Sequence, residues 1–450
     1  MGAVVKARHG SGGIQVPDRK EISGHVPIEE AGIPSELTLY LSQHIGAPSK
    51  PLVNVGDQVK RGQKIAEAQG VVSAGLHAPT SGKVKAIEAR YQPALGRMVE
   101  AIVIEPDGEH VLYEDVVPVG SDLGGISKEK IQEVVREAGL VGLGGAAFPT
   151  AVKLAPPPGK TIDTYLLNGV ECEPYLTADQ RLMEEFAGDV VFGFRALMKA
   201  AGVDKGIICI EDNKPEAIRA MEQAAAPYSE LEVAVLSHRY PRGGEKQLIE
   251  AVLGREVPPP PGLPLDVGVI VSNVGTAHAL ATALKTGLPL VERVVSVTGE
   301  GVAKPANLKA LIGTPVSFLI ERAGGFVSRP GKVILGGPMM GVSVPNTDVS
   351  IVKGTSGVLV FPAEDVRTEP VQPCIRCGMC VEACPMRLLP VWMAAYAENG
   401  FMEDAEKMRV MDCCECGACS YVCPAKRPLT QSIRLAKAHI AAKRRAARTN

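Results

Sequence analysis

Two stretches near the end of the chain carry most of the reading: Cys374-Ile375-Arg376-Cys377-Gly378-Met379-Cys380-Val381-Glu382-Ala383-Cys384-Pro385 and Cys413-Cys414-Glu415-Cys416-Gly417-Ala418-Cys419-Ser420-Tyr421-Val422-Cys423-Pro424. Each follows C-x2-C-x2-C-x3-C-P, a spacing in which the fourth cysteine of one run ligates the cluster held by the other. Cys374, Cys377, Cys380 and Cys423 are therefore expected to hold one 4Fe-4S cluster, and Cys413, Cys416, Cys419 and Cys384 the second. The prolines help the chain leave each loop without continuing its turn. Paired C-x2-C spacings also build structural zinc sites, but zinc does not require eight thiolates in two matched runs.

Of the 11 cysteines, three lie outside this pattern: Cys172, Cys209 and Cys414. Cys414 competes with its neighbour Cys413 as a ligand, yet only Cys413 keeps the two-residue spacing to Cys416. Cys209, in the apolar run Gly206-Ile207-Ile208-Cys209-Ile210, reads as a small core residue of a buried strand. Cluster thiolates beside unpaired cysteines fit a reducing compartment better than a disulfide framework.

The chain has 450 residues, is 46% hydrophobic and carries a formal charge of −2, enough for several cores and without bulk attraction to nucleic acid. No apolar run approaches the length of about 20 residues that spans a bilayer, and Met1 to Gly13 lacks the apolar core of a signal peptide. Four regions follow from composition. Residues 1–120, rich in Val, Gly and Pro, read as a small β domain. Residues 121–285 alternate apolar strands such as Val267-Gly268-Val269-Ile270-Val271 with Ala-rich amphipathic helices, the pattern of a layered α/β domain. Short strands return over 286–362, with a turn at Gly336-Gly337-Pro338. Residues 363–450 open on a charged linker and hold the cysteines. The 28 residues from Pro385 to Asp412, dominated by Leu, Met, Ala and Glu, predict a helical hairpin. The tracts Pro156 to Gly159 and Pro258 to Gly262 read as rigid loops rather than as ligands of partner domains.

A second chemical signal is Gly142-Leu143-Gly144-Gly145-Ala146-Ala147-Phe148-Pro149-Thr150, followed by Lys153. Glycines let backbone N–H groups approach an anion, and a helix beginning near Pro149 would add its positive end. Alone, such a loop does not establish a phosphate site, and its spacing is not the dinucleotide G-x-G-x-x-G. Asn168-Gly169-Val170-Glu171-Cys172-Glu173-Pro174 follows a predicted strand, where a doubly wound sheet forms its ligand crevice. An ordinary polar loop accounts for the same letters. The histidines His77, His238 and His278 show no metal-pair spacing.

These segments, with Tyr240 to Gly254 and Ser272 to Thr276, resemble in the same order the flavin- and NADH-binding subunit of respiratory complex I. Gly12-Gly13-Ile14, Leu41 to Pro48 and both cysteine runs extend the likeness over nearly the whole chain, which is similar to the C subunits of Rnf-type electron-transport complexes. The resemblance implies a multidomain α/β protein with an N-terminal lipoyl-like β barrel-sandwich domain without an attachment lysine, an FMN- and NADH-binding α/β domain, a β-grasp domain of the SLBB type, and an α-helical dicluster ferredoxin domain. It implies that Gly142, Gly144 and Lys153 surround the FMN phosphate, that Asn168 and Glu171 lie near the flavin, and that Ser272, Asn273 and Thr276 complete the cofactor wall. Gly145, Phe148, Tyr240 and Gly243 would line the nucleotide, with Glu173 and Glu245 as its acting carboxylates. The complex I pattern has Arg, Asp and Glu where this chain has Leu143, Val170 and Gly244.

The combination is chemically coherent. A nicotinamide nucleotide exchanges two electrons as hydride, each cluster exchanges one, and a flavin converts between them. The expected role is thus NAD(H)-dependent electron transfer through FMN and two 4Fe-4S clusters. It is expected within a membrane complex whose other subunits deal with ferredoxin and with Na+ or H+, peripheral to the cytoplasmic face. A soluble reductase of the cobalamin-reductase type and a non-catalytic relay scaffold are the rival readings. The C-terminal Arg434, Lys437, Lys443, Arg444, Arg445 and Arg448 suggest either a docking face for an acidic partner or anionic headgroups, or a solvated helix.

Overall fold

The computed structural model describes residues 12–157, 159–366 and 369–449, with side chains of the final helix described as far as Ala447. Met1 to Ser11, Pro158 of the first proline tract, Arg367 and Thr368 of the linker, and the Arg448 side chain lie outside the described residues.

The barrel is built from an antiparallel sheet of Leu37–Tyr40, Arg97–Pro106, Gly82–Gln92 and Gln58–Val59, closed by the small sheet Lys50–Pro51, Lys64–Glu67 and Leu76–His77. Leu37, Leu39, Val59, Ile65, Leu76, Val84, Ile102 and Ile104 fill it. Residues 12–34 do not belong to it. Ile28–Glu30 pairs in parallel with Ala306–Leu311 at the edge of the later six-stranded sheet. A three-residue strand containing two glutamates has no hydrophobic pattern, so composition groups it with the barrel.

The α/β region is a four-stranded parallel sheet in the spatial order Leu231–Leu236, Gly206–Glu211, Thr164–Gly169, Val269–Asn273. Its strands are apolar because helices cover both faces. The helix Ala187–Ala201 lies against Val274–Thr286, where a Cβ on Gly193 would sit 1.8 Å from the Ala277 carbonyl oxygen. That close approach explains the glycine. Cys209 is fully buried in the central strand Gly206–Glu211, as its apolar neighbours predict.

Glu292–Thr298, Ala306–Leu311, the helix Val316–Arg322, Pro330–Leu335, Val342–Val344 and Gly357–Pro362 form the β-grasp layer, with Val295, Val297, Leu319, Ile320 and Val360 inside. The last region repeats itself with an offset of 39 residues. The turns Met379–Glu382 and Ala418–Tyr421 correspond, as do the helices Pro390–Glu398 and Leu429–Thr449. The same residue offset relates Arg376 to Glu415 and Arg387 to Lys426, all four at positive φ. The expected hairpin is present as Pro390–Glu398 and Met402–Lys407, packed on the final helix through Met393, Ala397, Ala405, Ile433, Ala436 and Ile440.

Candidate functional site

In a parallel sheet of this order, the chain reverses direction between Thr164–Gly169 and Val269–Asn273, and the crevice outside their carboxyl ends is where ligands bind. Asn168, Ser272 and Asn273 occupy those ends. The glycine loop reaches the same place. The Leu143 N–H donates to Thr276 Oγ1 at 2.9 Å, and a Cβ on Gly144 would lie 3.3 Å from Asn273 Cβ. Gly145, at φ +105°, has no atom within 4 Å of the position a Cβ would take. That open space beside exposed backbone is what a phosphate-bearing cofactor such as FMN needs.

The helix expected after Pro149 is only the single turn Thr150–Lys153. Few peptide dipoles are aligned there, so the loop's own N–H groups, not a helix end, must supply the positive potential. Phe148 closes the loop instead, accepting from the Gly142 N–H at 2.8 Å. Lys153 Nζ donates to Glu245 Oε1 at 2.8 Å and to the Val271 carbonyl at 2.9 Å, so the expected phosphate cation and the expected nucleotide carboxylate are neighbours. Asn168 Nδ2 donates to the Gly243 carbonyl at 2.8 Å, which joins the switch point to the loop before Glu245–Leu253.

Glu171 faces inward. Its carboxylate accepts the N–H groups of Asp179 and Gln180 at 2.7 and 3.2 Å and lies 3.6 Å from Lys20 Nζ. Asp179, buried beside it, accepts from Asn273 Nδ2 at 2.6 Å, and burial with the Glu171 charge pushes its carboxyl up to about 7. Arg293 enters from the β-grasp layer and donates to the Leu143 carbonyl at 3.3 Å, with its guanidinium held down to about 10 by burial. Lys20, Asp179 and Arg293 belong to no motif legible in the sequence. Charged letters inside apolar runs, as in Arg293-Val294-Val295, are the signal that could have found them. Where complex I has charges, Leu143 and Val170 are buried, and Gly244 precedes the helix Glu245–Leu253.

Tyr240 and Glu173 also reach toward the second cysteine run. Tyr240 is fully buried and donates to the Cys416 carbonyl at 2.6 Å, with Glu173 Oε1 at 3.3 Å. Glu173 also accepts the N–H groups of Met339 and Met340 at 3.0 and 2.9 Å, while burial pushes its carboxyl up to about 7. These two residues link the α/β domain to the second cysteine run.

Among the described residues no three thiols stand close enough together to hold a metal ion as they are, but the fourth cysteines lie near the other run. Cys384 lines one cavity with Cys413, Cys416 and Cys419, joined by Cys414. Cys423 packs with Cys380 against Ala394 and Leu429. Backbone N–H groups of Arg376, Leu388 and Glu415 point at the sulfurs of Cys374, Cys384 and Cys413 at 3.3 to 3.4 Å. Amides directed at sulfur stabilise thiolate charge, as ligands of an iron-sulfur cluster need. Cys374 and Cys377 are exposed, whereas Cys384, Cys416 and Cys419 are buried.

Four of the basic C-terminal residues pair with acidic side chains of the same domain. Arg434 Nε and Lys437 pair with Glu415, Lys437 donates to the Cys413 carbonyl at 2.7 Å, and Lys443 and Arg444 pair with Glu403 and Glu406. They brace the second cysteine loop and the hairpin. Among the described residues, no helix is long and apolar enough to cross a membrane.

Comparison with known proteins agrees region by region. Family models match as the RnfC barrel sandwich hybrid domain over residues 9–109, the Nuo51 FMN-binding domain over 135–282, the SLBB domain over 294–343 and the 4Fe-4S dicluster domain over 373–426. The C subunit of the Na(+)-translocating ferredoxin:NAD(+) oxidoreductase complex of Acetobacterium woodii is 47% identical over 98% of this chain and 99% of its own length. The proton-translocating counterpart from Clostridium ljungdahlii is 46% identical over 95% of this chain and 93% of its own. The C subunit of the ion-translocating oxidoreductase complex of Rhodobacter capsulatus is 44% identical over 95% of this chain and 82% of its own. With the barrel, flavin, β-grasp and dicluster parts in the same order, the chain belongs to the family of C subunits of Rnf-type ion-translocating ferredoxin:NAD(+) oxidoreductase complexes.

Proposed function

We propose that NAD(H) exchanges electrons at the switch point of the α/β sheet, and that they pass by way of Tyr240 and Cys416 to the buried cluster of the second run. From there they would reach the exposed cluster of the first run and a partner protein of the complex. The observation that carries this reading is the convergence of the glycine loop, Asn168 and Ser272 to Thr276 at one end of the sheet, joined to a cluster cysteine by the Tyr240 hydroxyl. When bound, FMN converts the hydride of NADH, two electrons and a proton, into single electrons for the clusters.

The protein's own groups bind and orient. Backbone N–H groups at Gly144 and Gly145 and the Lys153 ammonium would hold the phosphate, with Gly142 closing the loop through its bond to the Phe148 carbonyl. Asn168, Ser272, Asn273 and Thr276 shape the flavin wall, Glu171 keeps that wall rigid through its helix contacts, and Phe148, Gly243 and Glu245 border the nucleotide. Glu173 and Tyr240 act one layer deeper. Chemistry of this kind needs positioning and exclusion of water rather than a nucleophile. The protein works on the cytoplasmic face, held there by its partners. Relatives of 47% and 46% identity bear names for Na+ and for protons, so the coupling ion belongs to those partners, not to this chain.

An anaerobic titration of the reconstituted chain with NADH tests the reading. Flavin absorbance should bleach first and the iron-sulfur absorbance should follow. Flavin that stays oxidised at saturating NADH would overturn it.

A further inference from the structure

The contact between the flavin domain and the second cluster has a third participant. Gly12, Gly13 and Ile14 run between the two domains. The Gly13 N–H donates to the Ala383 carbonyl at 3.1 Å on the cluster side. Ile14 exchanges both backbone hydrogen bonds with Tyr240, at 2.7 and 2.9 Å, on the flavin side. Arg239 grips the strand from outside, donating from Nε to the Gly12 carbonyl at 2.7 Å and from a terminal nitrogen to the Gly13 carbonyl at 3.0 Å. Ile14 and Val16 then pack with Tyr240, Ala383, Cys416 and Ala418 in one buried cluster that contains residues of both domains.

The two glycines are there for physical reasons. Gly12 and Gly13 adopt φ +74° and +77°, where side chains are strained. A Cβ on Gly12 would lie 2.6 Å from the carbonyl oxygen of Cys384, a ligand cysteine, and a Cβ on Gly13 would lie 2.7 Å from the Tyr240 carbonyl oxygen. Neither obstacle is a movable side chain. The strand fits only when the cysteine loop and Tyr240 stand at their present separation.

We propose that residues 12–16 form a strap that fixes the second cluster against the flavin domain, with Gly12, Gly13 and Arg239 as positioning residues for electron transfer between them. The strap changes no bond and no redox state. The two electrons that leave NADH as hydride still reach the clusters one at a time, and the strap sets the geometry across which they do so. This rests on the proposed route from flavin to the second run.

The test uses the anaerobically reconstituted full chain with Gly12→Ala, Arg239→Ala and Arg239→Lys. Three quantities are read: iron per chain, the stopped-flow rates of flavin and cluster bleaching by NADH, and hydrogen exchange at the Gly13, Ile14 and Tyr240 amides. Gly12→Ala and Arg239→Ala should keep eight irons and the wild-type rate of flavin reduction. They should lose amide protection and slow cluster reduction several-fold, since electron transfer between cofactors falls off with the distance the strap sets. Arg239→Lys, which can still donate to one carbonyl, should recover part of the rate. Wild-type cluster reduction in both variants despite lost protection would overturn the strap, as would unaltered protection. Loss of iron in Arg239→Ala, whose side-chain hydrogen bonds go to Gly12 and Gly13, would also overturn it by making the segment a folding requirement instead. Wild-type protein in which NADH bleaches the flavin but never the clusters would sink the route itself, and the amide readout would still judge the strap.

Discussion

Cys384 and Cys423 are displaced from their own runs toward the other run's thiols, and the cause is local. Cys380 and Cys419 sit in one helical turn, Met379–Glu382 or Ala418–Tyr421, which carries the fourth cysteine away from the first three. Reconstituted protein should contain close to eight irons, and Cys384→Ala should damage the cluster of Cys413, Cys416 and Cys419 while Cys423→Ala damages that of Cys374, Cys377 and Cys380. Loss confined to the variant's own run, seen by iron analysis and electron paramagnetic resonance, would contradict crossed ligation. At the switch point, Lys153 and Glu245 share a hydrogen bond of 2.8 Å yet serve different ligands in the proposed site. Lys153→Ala should lower FMN retention through repeated desalting, whereas Glu245→Ala should keep FMN and iron and reduce NADH-dependent reduction of an artificial acceptor by roughly 10-fold, the scale of one lost charged contact. Equal FMN loss in both variants would show that the pair acts as one structural unit.

The elements that sequence patterns revealed are those whose signal is local. Apolar runs gave the parallel strands, and the Leu- and Ala-rich stretch after Pro385 gave the hairpin, because burial on a strand or helix face leaves a period in the letters. What stayed hidden depends on partners distant in sequence. Ile28–Glu30 is a strand only because Ala306–Leu311 lies beside it, and the contact of Tyr240 with Cys416 exists only because two domains dock there. Lys353 is the sharpest case: fully buried, its ammonium donates to the carbonyls of Gly75 in the barrel and Gly139 after the helix Lys128–Glu137, both at 2.7 Å. Burial pushes it from 10.5 down to about 7. Since the folded-state value lies below the unfolded one, the unfolded chain binds more protons between about pH 7 and 10.5, and stability from this group rises with pH across that window. Lys353→Met leaves two carbonyls without a donor and should destabilise the junction by about 2 kcal/mol, with a gap to wild type that widens from pH 7 to 10. Apparent unfolding midpoints in denaturant at several pH values measure it, and a gap independent of pH would mean that the lysine stays charged when buried.

At the scale of the whole molecule, the four parts are ordered by what each shields. The barrel and β-grasp layers close around the glycine loop through Lys353 and Arg293. The α/β sheet presents its switch point, and the second cysteine run lies in the seam beyond Tyr240. Exposed cysteines occur only in the first run: Cys374 and Cys377 are exposed, and so are Ile375 at 68% and Trp392 at 56%. Exposed apolar groups beside a redox centre are unfavourable in isolation and suit a surface that is covered in a complex. The family's partners therefore have one evident point of contact for electrons, since the cysteines of the second run are buried or half-buried. Of the basic tail, Arg434 and Lys437 are engaged with Glu415 beside the second run, and Lys443 and Arg444 form exposed pairs with Glu403 and Glu406. Placing a charge at the outlet should separate the two halves of the reaction. Ile375→Glu should leave iron content and NADH-driven bleaching of flavin and clusters at wild-type values, because the residue lies beyond both cofactors on the route. Electron delivery to the assembled membrane complex should fall by roughly 10-fold, since a buried unpaired carboxylate in an interface is costly and nearby apolar contacts are lost. Membranes containing the remaining subunits, supplied with wild-type or variant chain and NADH, provide the measurement. Undiminished delivery would mean that electrons leave by another face and that the exposed first cluster is a branch rather than the exit.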